Sequence, residues 1–130
     1  MVVIDSSVAV EAALAAAGFE PLLGEELVAP PLLWSEVPSV LHELAWRGAV
    51  PADRAREALE RFAQAPIARR GPARLIERAW SIADGLGRAK TYDAEYVALA
   101  QILGCRLVTV DGRLRPGAGR LVDVVGPAAL

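Results

Sequence analysis

Four acids stand at positions where a fold can gather them. Asp5 follows the β-branched run Val2-Val3-Ile4 and precedes Ser6 and Ser7. Asp111 closes the run Leu107-Val108-Thr109-Val110. Glu36 borders an apolar helical stripe at Val37 and Val40, and Asp93 lies in an opening helical turn beside Tyr92 and Val97. One acid in a strand-ending turn or a first helical turn is by default a turn former or a cap. Four of them together read differently. Carboxylates brought close repel and raise one another's pKa values. An oxygen-only ligand set, with no Cys and no suitable His, selects a hard divalent ion, Mg2+ or Mn2+. Such an ion orients a phosphodiester, stabilises its developing charge and lowers the pKa of the attacking water, so that no histidine base is needed.

These acids need a scaffold that brings them to one edge. Val2 to Ile4, free of Pro and Gly, reads as a short, fully buried strand. Ser6 or Ser7 is placed to N-cap an alanine-rich helix over 7–17, with Gly18 as its C-cap. Leu27-Val28-Ala29 reads as a strand stopped by Pro30-Pro31. A helix follows on Leu33, Val37, Val40, Leu41 and Leu44 and ends at Gly48. Pro38 admits two starts: Ser35 caps and Pro38 lies in the first turn, or the helix begins near Leu32 and bends. A third helix runs from Pro51-Ala52-Asp53 to about Gln64 with Leu59 and Phe62 inward, and Ala65-Pro66-Ile67 breaks it. A fourth, over 72–84, rests on Leu75, Ile76, Ala79, Trp80 and Ala83 and stops at Gly85-Leu86-Gly87. Thr91 caps a fifth over 92–103, striped by Tyr92, Tyr96, Leu99 and Leu103 and ended by Gly104. Residues 107–110 and 121–125 read as the last strands.

Strands separated by helices imply parallel pairing. The expected class is therefore α/β, a three-layer helix–sheet–helix sandwich around a parallel sheet of roughly four to five strands, in one domain over 1–130. Parallel pairing puts Asp5 and Asp111 on one edge of the sheet, where open α/β sheets place their chemistry.

The totals narrow the class. Apolar residues at 54% and charged residues at 23% describe a globular chain. No run approaches the roughly 18 apolar residues of a membrane span, and no basic, apolar leader follows Met1. The single cysteine, Cys105, excludes an internal disulfide and a cysteine-based zinc cluster. These features point to a cytoplasmic protein with no membrane association. The net charge of −2 hides an asymmetry. Residues 1–46 hold seven acids and no Lys or Arg, whereas 47–78 hold eight arginines against four acids. The bland reading of those arginines is a set of solvated helix faces; the sharper one is an anionic partner for the middle third.

The four acidic blocks carry a resemblance. Val-Val-Ile-Asp5-Ser-Ser-Val, Ser-Glu36-Val-Pro-Ser-Val-Leu, Thr-Tyr-Asp93-Ala-Glu-Tyr-Val-Ala-Leu-Ala and Leu-Val-Thr-Val-Asp111-Gly-Arg-Leu resemble, in order, those of a PIN-domain ribonuclease, most closely the VapC type of toxin–antitoxin pairs. The similarity runs from Val2 to about Val125. It implies a PIN-like parallel sheet with Asp5 and Asp111 on neighbouring central strands. It implies that Asp5, Glu36, Asp93 and Asp111 surround Mg2+ or Mn2+ as catalytic and metal-binding residues. Ser7 and Thr109 match hydroxyl positions that orient carboxylates or waters. The implied activity is endonucleolytic RNA cleavage by metal-activated water. The implied partners are an RNA substrate, a cognate antitoxin and a second copy in a homodimer. Ser39 departs from the pattern, because Asn is frequent three residues after the glutamate.

Other residues are weighed against that site. His42 is expected to be structural or superficial, and Cys105 a buried small residue. Trp34, Trp46 and Trp80 are expected in the core, with partner contact as a second reading for Trp34 and Trp46. Glu95 is placed on another helix face from Asp93, solvated, with reach to the site as a second reading. Arg69-Arg70 is a surface pair, or a contact to RNA phosphate. A nuclease of this type outside a toxin–antitoxin pair is the nearest alternative. A dehalogenase-like phosphatase is weaker, since it wants a second Asp where Ser7 stands and a lysine that Lys90 does not supply.

Overall fold

A computed structural model describes Met1–Leu130. Val2–Ile4 forms β1, and all three residues are fully buried, which a run of β-branched side chains covered on both faces requires. α1 (Ser6–Leu14) follows at once. Its N-cap is Asp5, not Ser6 or Ser7 as expected: the carboxylate accepts the Val8 N–H at 3.1 Å. Asp5 is still extended (φ −94°, ψ 178°), so the residue that ends the strand is also the one whose side chain faces the orphan N–H groups. α1 stops at Leu14, short of the expected 17, and Gly18 closes the turn beyond it with φ +60°.

β2 (Leu27–Ala29) falls where expected, and α2 runs Leu33–Trp46. Of the two starts open to α2, the structure takes the one near Leu32, leaving Pro38 inside the helix with no N–H for the Trp34 carbonyl. α3 (Ala52–Ala63) buries Ala55, Ala58 and Phe62. The inward expectation for Leu59 fails, because the helix turns it to a surface groove beside Trp46. β3 (Ile67–Arg69) lies where only a break was expected; it is an edge strand of three residues, two of them exposed, too short to show a strand pattern. α4 spans Leu75–Leu86 with Gly85 inside it, and Gly87 ends it at φ +64°.

On α4 the inward face is Leu75, Ala79, Ile82 and Ala83, so Ile76 and Trp80 are exposed, at 64% and 66%, against expectation. α5 (Tyr92–Leu103) begins after Thr91, which occupies the cap position without a side-chain hydrogen bond, and Tyr92 is likewise exposed. β4 is Arg106–Val108, shorter than expected, because the chain bends at Val110. A short α6 (Arg115–Ala118), which was not expected, and β5 (Val124–Val125), shorter than the expected 121–125, follow.

The sheet order is β3-β2-β1-β4-β5, and every pairing is parallel. From β1 the chain steps twice toward one edge, then from β3 it crosses back to β4 on the far side of β1. Right-handed crossovers in opposite directions put their helices on opposite faces. Hence α1, α2 and α3 cover one face, α4 and α5 the other, giving the expected three-layer sandwich with five strands. The chain reverses its winding direction between β1 and β4, and the carboxyl ends of those two strands open the crevice where such sheets bind ligands. No helix is long and apolar enough to cross a membrane.

Candidate active site

Asp5 and Thr109 leave the neighbouring strands β1 and β4 at this crevice, and they are the two buried polar residues of the core. Their contacts form one network. Asp5 Oδ1 accepts the Ser7 hydroxyl at 2.6 Å and the Val8 N–H at 3.1 Å. Asp5 Oδ2 accepts the Thr109 hydroxyl. Both hydroxyl protons therefore point at Asp5, so the 3.3 Å approach of Ser7 Oγ to Thr109 Oγ1 carries no hydrogen bond of its own. The hydroxyl oxygens in turn accept backbone N–H groups, Ser7 from Val110 at 3.1 Å and Thr109 from Asp111 at 3.0 Å. Ser7 and Thr109 thus hold the Asp5 carboxylate from two elements. A carboxylate offers about four lone-pair sites. Three are taken, which leaves Oδ2 room for one more partner.

Glu36 comes from the first turn of α2 and Asp93 from the first turn of α5, where a helix N-terminus favours an anion. Tyr96, fully buried, donates its hydroxyl to Glu36 Oε1 at 2.5 Å. Burial pushes the Asp5 and Glu36 carboxyls above the usual range, and the negative charge of Asp93 pushes both further. Hydrogen bonds from Ser7, Thr109 and Val8 on Asp5, and from Tyr96 on Glu36, act in the opposite sense without overcoming burial. Burial, the bond it donates to Glu36 and the nearby acids drive the Tyr96 phenol upward, so it stays a donor. Glu95 is half-buried and feels Glu36, which together raise its pKa. The expectation that it is solvated on a remote face fails, because the start of α2 lies alongside the first turn of α5.

Asp111 stands apart from this trio. Its Oδ1 accepts the Arg113 N–H at 2.9 Å and Arg113 Nε at 3.2 Å, and the pairing lowers its pKa. Asp93 Oδ2 lies 3.8 Å from Arg88 Nη1. Asp5 and Glu36 have no cation partner. Three acids from three elements therefore act on one another, although no three close round a single point as a finished coordination cage. Charge repulsion reaches further than a coordination bond, so both observations hold. The donor set is all oxygen, its two innermost members lack a counter-ion, and Asp5 keeps a free lone pair: in chemistry it fits a hard divalent cation.

A cleft of about 290 Å³ opens beside Glu36, lined also by Ser39, Ser35 and Tyr92. A larger apolar groove, about 440 Å³, lies between α2 and α3, away from the acids. It includes His42 stacked on Trp46, which is 84% exposed rather than buried as expected. Trp34 does pack inward, against Phe62, with the Arg69 guanidinium 4.7 Å over its ring. Cys105 is half-buried, and burial raises its thiol pKa. The residues that sequence reasoning did not assign to the site are Tyr96, Arg88 and Arg113; the second reading of Glu95 is the one the structure takes. Tyr96 carried a signal: it sits three residues from Asp93, on the same helix face, and a buried phenol needs a partner.

A parallel sheet with hydroxyl-braced carboxylates at its switch point defines an α/β protein built around an acidic, cation-accepting site. The chain belongs to the PIN domain family, whose model matches residues 2–118. It is 40% identical over 115 residues to ribonuclease VapC9 of Mycobacterium tuberculosis and to VapC ribonuclease Mb0985 of Mycobacterium bovis, covering 88% of this chain and 88% of each relative. Among solved structures it resembles PAE2754 from Pyrobaculum aerophilum, with TM-score 0.75 and 22% identity over 98% of this chain and 91% of that one. It also resembles FitAB bound to an IR36 DNA fragment, with TM-score 0.65 and 15% identity over 100% of this chain and 97% of that one. Those two likenesses establish the fold. Dependence on a divalent metal is general in the family.

Proposed function

We propose that this chain, acting as one domain over 1–130, is a metal-dependent endoribonuclease and the toxin of a toxin–antitoxin pair. The observation that carries the reading is the convergence of Asp5, Glu36 and Asp93 from three elements, with Asp5 and Glu36 uncompensated by any cation. The names of the VapC ribonucleases supply the substrate class. Asp5, Glu36, Asp93 and Asp111 would hold Mg2+ or Mn2+, which when bound would supply orientation of a phosphodiester and activation of water. The protein's own work is positional. Ser7 and Thr109 fix the Asp5 carboxylate, Tyr96 fixes Glu36, and the helix N-termini of α2 and α5 favour ionised acids at the crevice. The working place is the cytoplasm, and the assembly is a homodimer inhibited by a short antitoxin. The stretch 1–46, with seven acids and no Lys or Arg, suits a basic antitoxin segment.

The test is cleavage of single-stranded RNA by the purified protein in Mg2+ or Mn2+. Chelator and Asp5→Asn are each expected to abolish it. Asn keeps the helix cap and fits the same space, so loss of folding is not the explanation. Cleavage unchanged by both treatments sinks the metal-nuclease reading. Absence of a small open reading frame beside the gene counts against the toxin assignment alone.

A further inference from the structure

The acids of this site fall into two kinds. Asp5 and Glu36, the more buried, have only neutral donors. Asp93 and Asp111, nearer solvent, each face a guanidinium. Arg113 grips Asp111 through its N–H, through Nε at 3.2 Å and through Nη2 to Oδ2 at 3.4 Å, yet its side chain is 89% exposed. Arg88 reaches Asp93 through Nη1 at 3.8 Å and donates Nη2 to the Arg113 carbonyl at 3.2 Å. The two arginines are thus coupled to each other and sit on the outer rim of the acidic crevice. Neither is buried, neither packs in the core, and neither sustains an element of the fold. Exposed pairs of this kind contribute little to stability.

We propose that Arg88 and Arg113 are substrate-binding residues that take the RNA phosphate, and that they compete with the divalent ion for Asp93 and Asp111. The inference rests on the nuclease reading above. Its logic is charge exchange. A carboxylate gripped by a guanidinium offers less charge and fewer lone pairs to an ion. Once an ion satisfies the acid, the guanidinium is left beside the crevice with its donors free. The planar fork of arginine matches two phosphate oxygens, and single-stranded RNA brings a phosphate to the same place as the ion. The α4–α5 turn and the β4 exit thereby supply an anion-binding rim round an anion-repelling centre.

This predicts opposite signs in two binding measurements. Mn2+ binding, read by paramagnetic resonance of the free ion in the absence of RNA, should tighten about two- to fivefold in Arg113→Ala, and in the same direction in Arg88→Ala. Binding of a labelled single-stranded RNA, read by anisotropy in Ca2+, should weaken in both. The slope of log affinity against log salt should fall by about 0.7 for each phosphate left without its arginine. Arg47→Ala removes the same charge roughly 16 Å along α2 from Glu36 and should change neither quantity. Circular dichroism of each variant secures the fold. An unchanged salt slope in Arg88→Ala and Arg113→Ala, or Mn2+ binding no tighter than in the parent, overturns the proposal. The underlying reading fails separately, when the parent itself takes up no Mn2+ and Asp5→Asn still cleaves.

Discussion

Thr109→Val tests the brace on Asp5 with almost no change of shape. Thr109 is 3% exposed, and valine replaces one hydroxyl by a methyl. The substitution removes the bond to Asp5 Oδ2 and the acceptor for the Asp111 N–H at 3.0 Å. A hydrogen bond to a charged group is worth about 1.5–3 kcal/mol and a neutral one about 1. The Asp111 N–H is only part-buried and recovers a water, so the expected net loss with Asp5 ionised is about 2–3 kcal/mol. For a chain of this size that lowers the melting temperature by roughly 10 °C. The pH dependence is the sharper signature. Burial already raises the Asp5 pKa in the folded state above its ordinary 3.8, so the folded state holds the proton more tightly than the unfolded one. Its contribution is therefore fully present below 3.8 and is lost as pH rises through the folded value. The Thr109 hydroxyl bond lowers that folded value, so Thr109→Val widens the window over which stability falls. The deficit of the variant should be small below pH 3.8 and should grow as pH rises through the folded value. Urea denaturation of both proteins across this range measures it. An equal deficit at every pH, or none, refutes the assignment of Thr109 as the hydroxyl that favours the ionised Asp5.

Two further outcomes follow from the same geometry. Tyr96→Phe removes the 2.5 Å bond to Glu36 and frees that carboxylate to rotate; Mn2+ affinity should fall about tenfold, and calorimetric titration reads it. Trp80→Ser, at a position 66% exposed, should change the unfolding free energy of the isolated protein by less than about 0.5 kcal/mol in denaturant titration, whereas a core tryptophan would cost several times more.

The acids were readable because each ends or begins an element whose local signal is strong. Val2-Val3-Ile4 can hardly be anything but a buried strand, and parallel order follows from helices between strands. The cap was harder: Ser6, Ser7 and Asp5 are all good N-cap residues, and only the extended backbone at Asp5 selects among them. Trp80 and Leu59 were misplaced for a common reason. Periodicity tells which residues share a helix face, whereas exposure depends on whether another element covers that face. β3 escaped notice because an edge strand of three residues, two of them exposed, needs no apolar run.

The sequence by itself determined most of the elements, the parallel pairing of the strands and the presence of an acid at the end of β1 and beyond β4. Those are consequences of local propensity and of chain connectivity, which act over a few residues or over the order of segments. Only the tertiary structure decided how the acids divide. Asp5 is buried and Glu36 half-buried, held by Thr109, Ser7 and Tyr96, while Asp93 and Asp111 face Arg88 and Arg113 at the rim. That division depends on burial and on charges drawn from distant parts of the chain, and neither is written in the spacing of residues along it.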